Sequence, residues 1–377
     1  MRRRAALLVF ACLALVASAC GGGDDDTPAA DADSGTDTPG EDTGTGSDGS
    51  TGTDTGTDDP PPAIEPGPKA TFTGLPADEE LAATPAIVVK VSNNDDRSLA
   101  ALIGLDRADV IIEERIEDRA TRFAAIFHSD LPELVGPVRS ARTTDVDLMR
   151  NLGSPILIFS GANIAVLGQI RDLSREGGVV PVVNDDSETY HYRDADFPAP
   201  DNLFTDPALV GADFGEAAGS AAPVLTFRGA ESDTRSASID GTGVTVEGRD
   251  IVNFVHHDDH GYVRVQDGAI HVTREGAVLT ATNVVVMEVD YVANVDDPQS
   301  VDAVTTGTGP VNVLIDGRRW EGTWERDAPT DPYTFRDRNG VEVLLEPGTT
   351  WLTLVPAGTY RFDIKADIAG LVAEGAG

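Results

Sequence analysis

Residues 156–173, Ile156-Leu157-Ile158-Phe159-Ser160-Gly161-Ala162-Asn163-Ile164-Ala165-Val166-Leu167-Gly168-Gln169-Ile170-Arg171-Asp172-Leu173, change period halfway along. The first four form a short unbroken apolar run, the pattern of a buried strand. Beyond Ser160-Gly161, Ile164, Leu167, Ile170 and Leu173 give a following helix its apolar stripe. Toward the N-terminus, Ala86 to Val91, Ala108 to Glu114 and Phe123 to Phe127 read as three more strands. Thr144 is placed to cap a helix with Asp145 and Asp147 in its first turn and Leu148, Met149 and Leu152 on one side. Strands alternating with helices predict a layered α/β (α+β) first domain over 70–218, with order beginning near Phe72 and a crossover near Gly215.

After Ala222 the helical pattern stops. Leu225 to Phe227, Val252 to His256, Tyr262 to Val265, Val284 to Val292, Val311 to Ile315, Val341 to Leu345 and Trp351 to Val355 are short strand patterns separated by Gly, Asp and Pro turns. They predict a second, mostly β domain over 219–366 and a short tail at 367–377. Trp320, Trp324 and Trp351 fall in these strands, where core packing is the expected role.

Before the folded body the chain has a different character. Arg2, Arg3 and Arg4 precede an apolar stretch from Ala5 to Val16, the layout of a cleaved leader over residues 1–19. Ala17-Ser18-Ala19-Cys20 then fits a lipoprotein signal, with Cys20 as the lipidated first residue of the mature chain. Ala17-x-Ala19 also suits ordinary cleavage, and the alternative is secretion with a free Cys20. From residue 20 to 69 the composition is Gly, Thr, Asp, Ser and Pro, with Ile64 its sole large aliphatic residue. Such a segment cannot offset the entropy of ordering, so it reads as a disordered stalk of about 40 Å mean span.

The 377 residues include 28 Lys and Arg against 64 Asp and Glu, a net charge of −36. Loss of the three leader arginines leaves 25 basic residues and a net charge of −39. This balance excludes a basic grip on nucleic acid or anionic headgroups and leaves membrane attachment to the lipid. Cys12 departs with the leader and Cys20 is used as anchor, so the body has no thiol for a disulfide, a zinc site or a nucleophile.

Gly136-Pro137-Val138-Arg139-Ser140-Ala141-Arg142-Thr143 runs from a strand end into the expected helix. Unpaired N–H groups and two arginines there would hold a phosphate or carboxylate, with Arg119 and Arg122 as further contributors. The structural alternative pairs Arg139 and Arg142 with Glu113, Glu114 or Asp145. A second cluster, His191-Tyr192-Arg193-Asp194 followed by Pro200-Asp201-Asn202-Leu203-Phe204, suits a binding rim on a loop or a set of loop-internal hydrogen bonds. His256-His257-Asp258-Asp259-His260 offers metal-ligand chemistry, but neighbours on a strand face opposite ways, and a polar hairpin turn accounts for it without an ion. Ser160-Gly161 lacks the spacing of a nucleophile elbow. No metal and no cofactor are expected.

Over Thr73 to Pro356 the chain resembles the YerB family of bacterial lipoproteins, a family of unknown biochemical function. The stretches that carry the resemblance are Thr73-Gly74-Leu75-Pro76, Ala108-Asp109 with Glu113, Thr121-Arg122-Phe123, Gly136 through Arg142, and Tyr192-Arg193-Asp194 with Pro200-x-Asn202-Leu203. Further on they are Asn283-Val284, Gly317 with Trp324, and Asp337 through Gly340 followed by Pro347-Gly348-x-x-Trp351. The resemblance implies a lipid-anchored, two-domain extracytoplasmic protein. It also implies that Asp201 stands where the family usually has His. The resulting expectation is a non-enzymatic surface lipoprotein that binds an anionic envelope or extracellular ligand through Arg122, Arg139, Arg142, Tyr192, Arg193 and Asn202. The alternative is an envelope phosphotransferase or hydrolase acting on a polyprenyl diphosphate-like substrate. That reading rests on a looser similarity of Arg107-Ala108-Asp109-Val110 and Val138-Arg139-Ser140 to the LytR-CpsA-Psr phosphotransferases.

Overall fold

The computed structural model describes residues 67–184, 189–229, 238–295 and 300–375. The leader, Cys20 and the stalk lie outside the described residues. In the first half the strands are β1 (Ile87–Asn93), β2 (Val110–Arg115), β3 (Thr121–Phe127), β4 (Ile156–Phe159), β5 (Val180–Val183), β6 (His191–Arg193) and β7 (Leu203–Thr205). The helices are α1 (Asp96–Ala101), α2 (Thr143–Met149), α3 (Ile164–Arg175) and α4 (Pro207–Phe214).

Both halves contribute to one eleven-stranded sheet. β3 lies antiparallel between β1 and β2, while β4 and β5 follow β1 in parallel. β2 pairs in parallel with Thr350–Val355, which pairs in parallel with Asn283–Glu288. From there Gly307–Ile315, Arg318–Arg326 and Thr334–Asp337 extend the sheet as antiparallel strands. A second sheet is built around Gly243–Glu247, Ile251–His257 and Gly261–Gln266.

Alternation along the strands sends side chains to two cores. On one face Val88, Ile112, Ala124 and Ile126 pack with Val146, Leu148 and Met149 of α2 and with Val166, Ile170 and Leu173 of α3, and the same cluster reaches Trp320 and Trp324. On the other face Val89, Phe123 and Trp351 pack with Phe254 and Tyr262 of the second sheet and Val210 of α4. The expected mixed α/β half and β half are therefore both present, and the three tryptophans are buried.

Several local expectations are corrected. The residue capping α2 is Arg142, not Thr144; Thr144 is inside the helix, where its hydroxyl accepts the Ala303 N–H at 3.0 Å. The buried stripe of α3 is Val166, Ile170 and Leu173, and Ile164 is 86% exposed. Nine residues turn a helix through about 2.5 turns, so Ile164 and Leu173 point to opposite sides. Val341 to Leu345 and Leu225 to Phe227 make single bridges and no strands, because Leu345 pairs with Phe227 while Val343 donates to the Phe335 carbonyl. The stretch expected as one strand from Val284 to Val292 divides into Asn283–Glu288 and Tyr291–Ala293. The expected tail contains a further helix, α5 (Ala366–Gly375), whose Val372 packs on Val255, Val263 and Val265.

Candidate functional site

The pairing register places charged side chains in rows at the carboxyl ends of β1 and β2. Ser92 of β1 and Glu114 of β2 both face Arg122 of β3. In the next row Lys90 and Ile112 flank Ala124, whose methyl leaves space beside the lysine stem. Lys90 Nζ lies 2.6 Å from Glu114 Oε1 and 2.7 Å from Asp145 Oδ1, and all three side chains are fully buried. Asp145 belongs to the first turn of α2, and its Oδ2 accepts the Arg142 N–H at 2.7 Å. The lysine thus fixes the helix start against the sheet. Burial and the charge of Asp145 push the Glu114 carboxyl up, with Lys90 opposing both.

The arginine segment threads between the ends of β1 and β4. Arg139 N–H donates to the Lys90 carbonyl at 2.8 Å, Ser160 N–H to the Arg139 carbonyl at 3.0 Å, and Ala141 N–H to the Gly161 carbonyl at 3.0 Å. These bonds turn the Ser140 carbonyl inward, where it accepts from Arg122 Nη1 at 2.9 Å and from Arg142 Nη1 at 3.5 Å. Three guanidinium groups are thereby gathered at the carboxyl ends of parallel strands, the place where open α/β sheets hold ligands.

Their pairings differ. Arg142 binds Glu117 through two bonds of 2.8 and 2.7 Å, and Ser300 adds a hydroxyl at 2.7 Å. Burial pushes Glu117 up, but the hydrogen bonds from Arg142 and Ser300 and the Arg142 charge together outweigh it and bring Glu117 down to about 2. Arg139 Nε lies 3.5 Å from Asp201 Oδ1, an atom that also accepts from Ser92 at 2.9 Å. Arg122 forms no ion pair among the described residues and its Nε has no hydrogen-bond partner, although the residue is 2% exposed. Burial, then repulsion from Arg142 and Arg139, brings it down to about 9 against the pull of Glu114 and Glu117. The carboxylates facing Arg139 and Arg142 are thus Asp201 and Glu117, replacing the expected Glu113, Glu114 and Asp145. The latter two hold Lys90.

Tyr192, Arg193 and Asn202 lie on the neighbouring β6–β7 hairpin. Arg193 Nη1 donates to Asn202 Oδ1 at 3.1 Å, and Tyr192 stacks on Phe204 with ring centroids 5.6 Å apart. Asp201 links this hairpin to the arginines, while Tyr192 turns toward Phe204, over which Arg274 also lies. Arg274 further pairs with Asp194 at 3.2 Å, so the hairpin touches the second half. The Asp109 of the alternative reading sits elsewhere. It precedes β2 and accepts from Ser129 N–H at 2.8 Å, while Glu114 and the arginines lie at the far end of that strand, on the order of 16 Å away. Its carboxylate and Arg139 do not converge. His256 and His257 end the strand Ile251–His257 and Asp258–His260 make the turn to Gly261–Gln266, and the described residues contain no group of three or more His, Cys, Asp and Glu able to hold a metal.

Lys90 is the site residue that sequence reading absorbed into a strand. Its signal was available, since a charged residue in the run Val88-Val89-Lys90-Val91 must meet a buried carboxylate.

A mixed α/β half sharing its main sheet with a β half, and a guanidinium cluster at the strand ends, define the class of fold. Residues 72–220 match the family pattern described as "Protein of unknown function (DUF3048) N-terminal domain", and residues 244–352 match its C-terminal counterpart. The chain belongs to this family. It is 27% identical over 299 residues, 76% of this chain and 86% of the relative, to "Putative lipoprotein YerB" of Bacillus subtilis (strain 168). The crystal structure of the Bacillus subtilis YerB protein matches with a TM-score of 0.66 over 79% of this chain and 100% of that chain, at 23% identity, which shows the shared fold.

Proposed function

We propose that this protein is an extracytoplasmic lipoprotein, held to the membrane through Cys20, whose folded body binds a phosphate-bearing or carboxylate-bearing ligand at Arg122, Arg139 and Arg142. The leader pattern and the name of the relative support the anchored location. One observation carries the binding reading: Arg122 is a buried guanidinium beside two others, with a single carbonyl as its hydrogen-bond partner. An anion between the three would relieve their repulsion and satisfy Arg122, and charge-assisted bonds of this kind contribute about 1.5–3 kcal/mol each. Arg139 and Arg142 side chains are 19% and 17% exposed, so both reach the surface from which the ligand would enter.

The test is calorimetric titration of the mature chain with pyrophosphate and with citrate at low ionic strength. Saturable binding of one of these anions, weakened about tenfold in Arg139→Gln, is the expected result. If neither anion binds, or if Arg139→Gln lowers the unfolding midpoint without changing affinity, the arginines serve the fold alone.

A further inference from the structure

Lys90, Glu114 and Asp145 form a triad whose arrangement is unfavourable for a simple ion pair. All three side chains are fully buried, with Lys90 on the face of β1 that also carries Val88 into the apolar core under α2. One cation there meets two carboxylates. Lys90 Nζ donates to Glu114 Oε1 at 2.6 Å, but its 2.7 Å contact with Asp145 Oδ1 is out of line for a hydrogen bond. Asp145 Oδ1 and Glu114 Oε2 are both buried without a hydrogen-bond partner. Buried charges are offset only where geometry is good and the remaining lone pairs are bonded, and here two oxygens fall short.

The same arrangement holds the parts of an amide condensation. Strand pairing places Lys90 and the first turn of α2 places Asp145, so the nitrogen already touches the carboxyl group. Placement of this kind is equivalent to an effective concentration on the order of 10⁵–10⁸ M. Asp145 Oδ2 accepts the Arg142 N–H at 2.7 Å, a donor positioned to take up the negative charge that develops when the carboxyl carbon is attacked. Glu114 touches the same nitrogen. Burial, then the charge of Asp145, pushes its carboxyl up against the pull of Lys90, which favours the protonated form. Condensation also removes two buried charges, and the dry core protects the product from hydrolysis.

We propose that Lys90 and Asp145 join in an intramolecular isopeptide bond, with Glu114 carrying the protons. One proton leaves the Lys90 ammonium for Asp145 Oδ1 by way of Glu114, and the freed Nζ lone pair attacks Asp145 Cγ. Glu114 then takes a second proton from the nitrogen and delivers one to Oδ1. The Cγ–Oδ1 bond breaks and the oxygen departs as water. An ammonium and a carboxylate thus become one secondary amide and one water, Glu114 ends as it began, and nothing is oxidised or reduced. The bond ties β1 to the start of α2 in a folded body that has no cysteine for a disulfide. It does not depend on ligand binding at Arg122, Arg139 and Arg142.

The test is the mass of the mature chain, produced without its leader and measured in denaturant, where an ion pair is lost and an amide is not. It should be about 18 Da below the mass of its sequence, the loss of one water. Trypsin should release residues 70–97, uncut after Lys90, joined to residues 143–150. Glu114→Gln, which keeps the shape of the side chain and removes the proton carrier, should have its full sequence mass and give the two peptides separately. A wild-type chain of full sequence mass would overturn the proposal whatever the variant does. Lys90 joined to residues 108–115, which contain Glu114, would overturn the choice of Asp145. A bond formed as completely in Glu114→Gln as in the wild type would overturn the role of Glu114.

Discussion

Glu114 and Glu117 are three residues apart, and their surroundings push them in opposite directions. Glu114, raised by burial and by Asp145, gives its contribution to stability fully below the unfolded-state value and loses it as pH rises. Glu117, held at about 2 by Arg142 and Ser300, contributes above the usual carboxylate range and loses that contribution as pH falls from about 4.5 toward 2. Replacing Glu117 with Gln should cost about 2 kcal/mol at neutral pH and flatten the acid limb of stability between about pH 4.5 and 2. Denaturant titrations of both proteins across that window check this. An acid limb equally steep in Glu117→Gln would show that the pair does not carry it. The fully buried Lys90 with Glu114 and Asp145 fixes register and helix placement more than it adds stability, since the desolvation of three charges offsets most of their attraction.

At the level of elements, the outer strands depend on close backbone approach. A Cβ on Gly322 would lie 1.7 Å from the Arg336 carbonyl oxygen of the neighbouring strand. Gly322→Ala must therefore push Thr334–Asp337 off the sheet edge, with an expected loss of about 1–3 kcal/mol and faster amide exchange confined to that strand and its partner. Unchanged exchange there would mean the strand shifts without loss of pairing. Sequence patterning found the strands that both cores bury, because the apolar runs at Ile87–Val91 and Phe123–Phe127 allow no other placement. It placed the start of α2 two residues late, since what caps it is the Asp145 side chain on a backbone N–H, a pairing without a distinct residue signature. α5 was missed because its stripe is short and its partner is a sheet formed over a hundred residues earlier. At the candidate site the residue types were legible and the pairings were not. Which carboxylate meets Arg139 or Arg142 depends on loops brought together from Glu117, Asp201 and Ser300.

The whole molecule combines an acidic chain and a folded body whose two family segments share one sheet, with the proposed lipid anchor at Cys20. No helix among the described residues is long and apolar enough to cross a membrane. Cys20→Ala should release the protein into the medium or leave it with its leader uncleaved, as fractionation of cells and the mass of the product would show; a leader-cleaved Cys20→Ala chain that stays with the membrane would refute the lipid anchor. Within the body, β2 pairs over Val110 to Glu113 with Thr350 to Thr353, and Trp351 and Arg264 of the second segment both bond Glu113 of the first. Removing the second segment would open an apolar sheet edge, uncover Phe123 and leave Glu113 buried without its cation. We therefore expect one cooperative unfolding transition for the folded body. Tryptophan fluorescence follows the second segment, which contains Trp320, Trp324 and Trp351, while far-UV circular dichroism follows the helices, four of which lie in the first. The two signals should coincide in denaturant, and residues 70–218 expressed alone should aggregate. Two separated transitions, or a soluble and folded 70–218 fragment, would show that the shared sheet joins two independently stable domains.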